Sequence, residues 1–433
     1  MKTIGRFCLK VTTLLCVLLF LTLPANHVFA SGNMFPPENG SADNLIEYKG
    51  MIVDKKTGDA LAFASISVVG TNISSVSNTD GQFSIKLPQT ILNARILISF
   101  IGYRNKQVLL ADLKSSKPRV ELEPTSVQLP ELSVVSKDAA ELIRAMLEKK
   151  RDNYSDSLVP MTAFYRETIK KNKSYASLAE AVLAVDKLPY SSSRSDIIHL
   201  YKSRKKTDYA KLDTLTFKLM GGPFSCLSLD VMKCPEALFT EDMMTNYEFI
   251  FDKSTYIDKQ MVYVIDFKQK FDNAEPLYAG KLYIDAQKLA LKSAVFSMNL
   301  SDKDKAASIF ILKKPLNARV YPIEAKYRVD YRERGGKWYF NYSRIELGLK
   351  IVWKRKLFNT NYYSTLEMAV TDWGKSAGKK TGDSKDRLKS TVIISDEALG
   401  FSDPGFWGEF NVIEPEKSID TAIKKIQKQL EKK

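Results

Sequence analysis

The side chains in this sequence that most often carry covalent or metal chemistry are few, and their spacing limits what they can do. Cys226 and Cys234 lie in "FSCLSLDVMKCPE" with no histidine nearby. A zinc site needs four N/S ligands at set spacings, so this pair is not one. Two alternatives stay open for it: a local disulfide if the chain is exported, or two separate buried thiols. His199, in "DIIHLYKS", is the one histidine beyond residue 30. No G-x-S-x-G turn accompanies it, and a zinc hydrolase would need more than one histidine, so it reads as an ordinary strand residue. Asp252, Asp258, Asp266 and Asp285 could in principle pair for glycosidic hydrolysis. They fall near strand ends and turns, where solvated charges are routine. Asn78 and Asp80 begin a series like that of a calcium loop, but the series stops there. The sequence therefore assigns no catalytic, cofactor-binding or metal residue and no cofactor. It points to a protein that is not an enzyme.

What remains is binding. Tyr263, Phe267, Tyr283, Phe296, Tyr327, Tyr331, Trp338 and Tyr342 could line one face of a sheet, although aromatics at such positions are more often core. The 65 Lys and Arg against 50 Asp and Glu give a formal charge of +15 over 433 residues. That surface suits anionic glycans or lipid headgroups, including peripheral association with a membrane.

The N-terminus points to export. Lys2, Arg6 and Lys10 precede an apolar run from Val11 to Leu23, and "VFA" ends at Ala30. This is the pattern of a secretory signal peptide cleaved after Ala30. Losing residues 1–30 removes three positive charges and lowers the formal charge to +12. An exported chain is not expected to meet nucleic acid. The expected location is the periplasm or the periphery of an outer membrane.

The elements that must position any binding surface are mostly strands. The 22 Phe and 20 Tyr favour β structure. Residues 31–46 read as a mobile leader. Residues 47–123 read as roughly seven short strands with tight turns, a small β-sandwich. Within it "ALAFASISVVG" alternates, with Ala64, Ile66 and Val68 opposed to Phe63, Ser65 and Ser67. Residues 124–137 form a linker. Residues 138–433 open with an amphipathic helix carrying Ala139, Leu142, Ile143, Met146 and Leu147, capped by Ser136 or Asp138. Long antiparallel strands follow, with a clear hairpin at Gly335–Gly336 and another in "KLYIDAQKLALKSAVF". "GKSAGKKTGDSKDRLK", 374–389, reads as a surface loop and "TVIIS" as a strand. The chain closes with a second amphipathic helix through Ile419, Ala422, Ile423, Ile426 and Leu430, with Ser418 as cap.

Five elements in order carry a family resemblance. They are Gly50, "D-x-x-TG" at 54–58, "A-x-I-x-V-x-GT" at 64–71, "TDGQFSI" at 79–85 and "ISFIGY" at 98–103. This stretch resembles the carboxypeptidase-regulatory-like domain, which implies a transthyretin-like β-sandwich and not a peptidase. In Bacteroidetes-type envelope proteins such modules often stand at the N-terminus. "SVQLPELSVVSKDAAELIRAMLEKKRDNY" and "FWGEFNVIEPEKSIDTAI" resemble parts of that same group. "VYVIDFKQK" and "GKLYIDAQKLALKSAVFSM" resemble strands of LolA/LolB-like lipoprotein carriers, which implies a large curved sheet around an apolar cavity. Together these give a mainly β chain: a small N-terminal sandwich, then a helix and a large antiparallel sheet. The function expected is a non-enzymatic cell-envelope protein that binds an amphiphilic lipid ligand or an envelope protein partner. The alternatives are an accessory subunit of an outer-membrane receptor or uptake complex, and a hydrolase of unidentified site.

Overall fold

The computed structural model describes the strand Cys16–Leu21 and then residues 45–421 apart from short stretches. The stretches left out are 92–93, 115–117, 126–137, 208–214, 253–254, 258–259, 271–274, 314–315, 355–358, 375–376, 378–386, 401–405 and 420. Asp258, Ser136, most of the 124–137 linker and the 374–389 loop, and the closing helix beyond Thr421 therefore lie outside the described residues.

The front module is a two-sheet sandwich. One sheet orders Gln82–Pro88, Leu45–Asp54 and Arg119–Leu122; the other orders Ser74–Val76, Ser65–Val68, Arg95–Ser99 and Lys106–Leu109. The first strand thus begins at Leu45, inside the expected leader. The alternation expected around Ile66 holds: Ala64, Ile66 and Val68 are fully buried between the sheets, with Ile52, Phe83, Ile85, Ile96, Ile98 and Leu122. Gly81 makes the "TDG" turn possible. Its φ is +73°, and a Cβ there would stand 2.5 Å from the Ile52 carbonyl oxygen.

The rest of the described chain builds a twelve-stranded sheet, eleven strands in one path and a twelfth, Thr255–Ile257, paired off it with Gln260–Gln269. It runs from Tyr247–Phe251 through Gln260–Gln269, Tyr278–Asp285, Leu291–Met298, Ala318–Arg334, Lys337–Trp353 and Thr360–Trp373, then through Val159–Lys171, Ser174–Lys187 and Ile197–Thr207 to the short Leu399–Gly400. Every neighbouring pair is antiparallel except the last. Both expected hairpins form; Gly335 and Gly336 have φ of +57° and +79°, the backbone that a two-residue hairpin turn requires. "TVIIS" does not make a strand. Ile394–Glu397 is a short helix instead, with Ile394 fully buried against the sheet. Packing of that isoleucine outweighs the β-branched run's preference.

The two faces of this sheet are covered differently. The inner face packs on helix Ala139–Glu148, which buries Leu142, Ile143 and Met146, and on helices Gly222–Ser228 and Lys303–Phe310. Asp138 caps the first helix by accepting from the Ala140 N–H. The outer face packs on the front module and on residues 406–415, through Val76, Phe164, Val182, Ala184, Tyr342, Ala369, Trp407 and Ile413. That is why "YASLAEAVLAVDK" reads as a nearly continuous apolar run: from Ala176 to Lys187 its residues are buried on both faces. A lipid-facing barrel would need an apolar outer band, whereas this outer face carries buried charges, described below. Among the described residues no helix is long and apolar enough to cross a membrane. The strand Cys16–Leu21 lies antiparallel to Leu215–Met220 and parallel to Ile311–Lys313.

Candidate functional site

The side chains picked out by type do not converge. Cys226 is buried within the helix Gly222–Ser228 and Cys234 is half-buried, and the two stand as separate free thiols in this structure. Burial pushes the Cys226 thiol well up and Cys234 up to about 12. His199 is a buried strand residue opposite Ala184. Asp252 and Asp266 share the Lys281 ammonium at 2.5 and 3.2 Å on a half-exposed surface. Asp285 accepts from the N–H groups of Gln287 and Lys288, closing its turn, and pairs with Lys292 at 3.3 Å. Asn78 and Asp80 serve a contact within the chain: the Asn78 amide donates to the Glu414 carbonyl, and Asp80 accepts from the Lys417 N–H at 2.9 Å. Of the eight aromatics, Tyr263, Phe267, Phe296, Tyr327, Tyr331 and Trp338 share the inner core. Tyr342 belongs to the outer core and Tyr283 is half-buried, so the eight do not line a single face.

Two ionic constellations that residue type alone did not reveal organise the large sheet. The first lies on its inner face. The Lys187 ammonium sits between Asp196 and Asp230 at 2.8 and 2.7 Å, and Lys233 also reaches Asp196 at 2.8 Å. Tyr331 donates to Asp230 at 2.8 Å. All four charges are buried and they sum to zero. Burial alone would depress Lys187, but Asp196 and Asp230 outweigh it and hold the ammonium above its ordinary range. Burial likewise opposes Asp196, and the two lysines overcome it. With its ions matched this way, the cluster pins residues 230–233 to the sheet.

The second crosses the outer face as a row of directly opposed residues on six adjacent strands: Arg204, Glu180, Arg166, Glu367, Arg344 and Arg328. Glu180 bridges Arg166 and Arg204, each at 2.7 Å. Glu367 meets Arg166 at 3.3 Å and Arg344 at 3.0 Å, and accepts from the Tyr342 hydroxyl. Arg344 also pairs with Glu346, and Arg328 with Asp330, both at 2.8 Å. Glu180 is fully buried, and Arg166 is 2% exposed.

The front module and the tail close over this row. Phe63 stacks on Tyr342 at 5.7 Å, with the Arg344 guanidinium 4.7 Å from its ring. It adopts φ of +64°, a left-handed backbone that a bulky residue rarely takes. Ser74 donates to the Val370 carbonyl at 2.7 Å, and the Asn72 amide to that of Trp373. On the tail, Asn411 exchanges two hydrogen bonds with the Lys86 backbone, Lys49 pairs with Glu414 at 3.1 Å, and Arg166 donates to the Ile413 carbonyl at 2.8 Å.

Two clefts flank the joint. One, of about 470 Å³, lies between module and tail and is lined by Lys49, Lys86, Arg204, Glu47 and Glu414 among others. Burial, with Lys49 and Arg204 nearby, lowers Lys86 below the usual lysine range against the pull of Glu47. The other, of about 480 Å³, has an apolar wall from the module and a charged wall from the sheet, where Asp285, Asp330 and Glu333 stand among the cations. Phe63, Leu97, Phe100 and Ile101 face Lys288, Lys292, Arg328 and Arg332 across it. One signal in the sequence marked the row: a lone Glu180 inside "ASLAEAVLAV" has to find a partner when that strand is buried.

Comparison with known proteins identifies the module. Residues 48–134 match the CarboxypepD_reg-like domain. No curated protein matches the chain. Among solved structures it is similar to a DUF1329 family protein from Desulfovibrio piger, at 9% identity over 56% of this chain and 96% of that one, TM-score 0.22. It is similar to a LolA superfamily protein from Nitrosomonas europaea, at 9% identity over 58% and 99%, TM-score 0.22. A third is a domain assigned to outer membrane lipoprotein sorting from Vibrio parahaemolyticus, at 10% identity over 56% and 94%, TM-score 0.22.

Proposed function

We propose that this chain is an exported, non-enzymatic protein of the cell envelope that binds an amphiphilic ligand between its front module and its large sheet. The observation that carries the reading is the 480 Å³ cleft, where apolar side chains of the module face cations of the sheet. A ligand with an apolar body and an anionic end is the chemistry that satisfies both walls. The buried ion pairs support binding over catalysis, because each carboxylate is already engaged by a lysine or an arginine. Export rests on the basic and apolar pattern of residues 1–30, and a periplasmic or outer-membrane-peripheral site follows from it.

The test is native mass spectrometry and solvent extraction of the protein purified from its own envelope. A stoichiometric amphiphile, present in the parent and lost in Leu97→Glu, is the expected result. An empty protein that co-purifies with a membrane barrel would replace this reading with an accessory subunit. An empty, unpartnered protein would remove the ligand reading.

A further inference from the structure

We infer that Arg332 is the residue that holds the anionic end of the ligand, and that this end is an oxyanion, a phosphate or a carboxylate. The inference rests on the ligand-binding reading above and narrows it to one head group and one cation.

Three observations carry it. First, Arg332 is the cation of this cleft that carries a buried, unanswered donor. Arg328 pairs with Asp330 at 2.8 Å and Lys292 with Asp285 at 3.3 Å. No carboxylate pairs with Arg332; its Nη1 is buried and has no hydrogen-bond partner among the described residues. A buried donor without an acceptor costs stability, so an unfilled one at the wall of an open cleft is a position prepared for an acceptor from outside. Second, Trp338 lines the same cleft and its Nε1–H is also buried without a partner. An indole nitrogen can only donate, so both orphaned groups ask for oxygen acceptors. Third, the guanidinium is held in place: it lies over the Trp373 ring at 5.2 Å, and that ring is 2% exposed. Stacking fixes the plane of the fork and leaves its edge to meet an oxyanion.

The electrostatics agree with the geometry. Burial lowers Arg332 to about 10, helped by Arg334 and opposed by Glu333. Lys288 stands exposed at the same cleft and adds a second positive charge without a bonded carboxylate. The Ser65 and Ser99 residues of the module line the opposite side and offer hydroxyls. The apolar wall of Leu97, Phe100 and Ile101 then receives the alkyl part.

The experiment titrates the purified protein by calorimetry with three probes: inorganic phosphate, dodecyl phosphate, and dodecyl maltoside as a neutral chain of equal length. Dodecyl phosphate is expected to bind at least tenfold more tightly than either of the others. Arg332→Gln should lose that preference tenfold or more while leaving dodecyl maltoside unchanged. Trp338→Phe, which keeps the ring and removes the donor, should lose a smaller part of it. Circular dichroism of each variant shows that the fold is kept. If dodecyl phosphate and dodecyl maltoside bind equally to the parent and to Arg332→Gln, the head-group assignment falls and the amphiphile cleft survives. If inorganic phosphate binds as tightly as dodecyl phosphate, the oxyanion site stands and the amphiphile reading falls. If no probe binds, both fall.

Discussion

Replacing Glu180 by Gln tests whether the outer-face row holds the sheet and its covering together. Each carboxylate oxygen of Glu180 serves one arginine: Oε1 accepts from Arg166 Nε at 2.7 Å and Oε2 from Arg204 Nε at 2.8 Å. The amide keeps the shape and removes the charge. Arg166, almost wholly buried, is then left with Glu367 at 3.3 Å, which Arg344 also uses. Breaking a buried pair by removing one partner costs about 3–5 kcal/mol. With a urea slope of about 3 kcal/mol per molar, the midpoint should fall by roughly 1–1.7 M. Trp407 is the natural reporter, since its ring lies 4.7 Å from the Arg204 guanidinium and 5.5 Å from the Phe164 ring. Adding Arg166→Met should restore part of the loss, because it removes the charge left stranded. Acid gives an independent check. Burial pulls Glu180 up, but Arg166 and Arg204 hold it below its ordinary value of 4.5. A depressed carboxylate contributes fully above that ordinary value and loses its contribution as pH falls through the folded value. The parent should therefore weaken below about pH 4.5 more steeply than Glu180→Gln. A midpoint within about 0.3 M urea of the parent, or identical acid slopes, would refute a desolvated row.

Three further outcomes follow from the same geometry. Phe63→Ala removes the ring from Arg344 and Tyr342, so the module should undock more readily and limited proteolysis should cut the 124–137 segment faster than in the parent; an unchanged cleavage rate would mean that the Ser74 and Asn72 hydrogen bonds and the tail hold the module without the ring. Lys187→Met leaves Asp196 to Lys233 and leaves Asp230 with the Tyr331 hydroxyl but no paired ammonium, and should cost about 3–5 kcal/mol, with faster hydrogen exchange in residues 222–244; protection equal to the parent's would show that the ion cluster is not what pins them. With the Cys234 thiol pushed up to about 12 and Cys226 buried, a thiol reagent at pH 8 should react with both only after denaturation. Rapid reaction in the native state, or a mass two units low, would contradict the free buried thiols.

The sequence by itself determined the kinds of local structure and the order of the elements. Turn chemistry at Gly81 and at Gly335–Gly336, alternation around Ile66, and helical spacing from Ala139 to Leu147 are local patterns, written into neighbouring residues, and each appears where the pattern puts it. Five short motifs in order were enough to mark the front module. The tertiary structure decided which side chains meet. Arg204, Glu180, Arg166, Glu367, Arg344 and Arg328 lie as far as 201 positions apart in sequence and become neighbours through strand register alone. A period of two says that a residue faces one side of its strand; it does not say which strand lies beside it or what covers that side. Tyr342 and Tyr331 show the consequence: the first faces the module and the second the helices, although both look like the same strand aromatic in sequence. Arg332 is the sharpest case. Nothing in "YRERGG" separates it from Arg334, and only the stacking on Trp373 and the missing carboxylate set it apart.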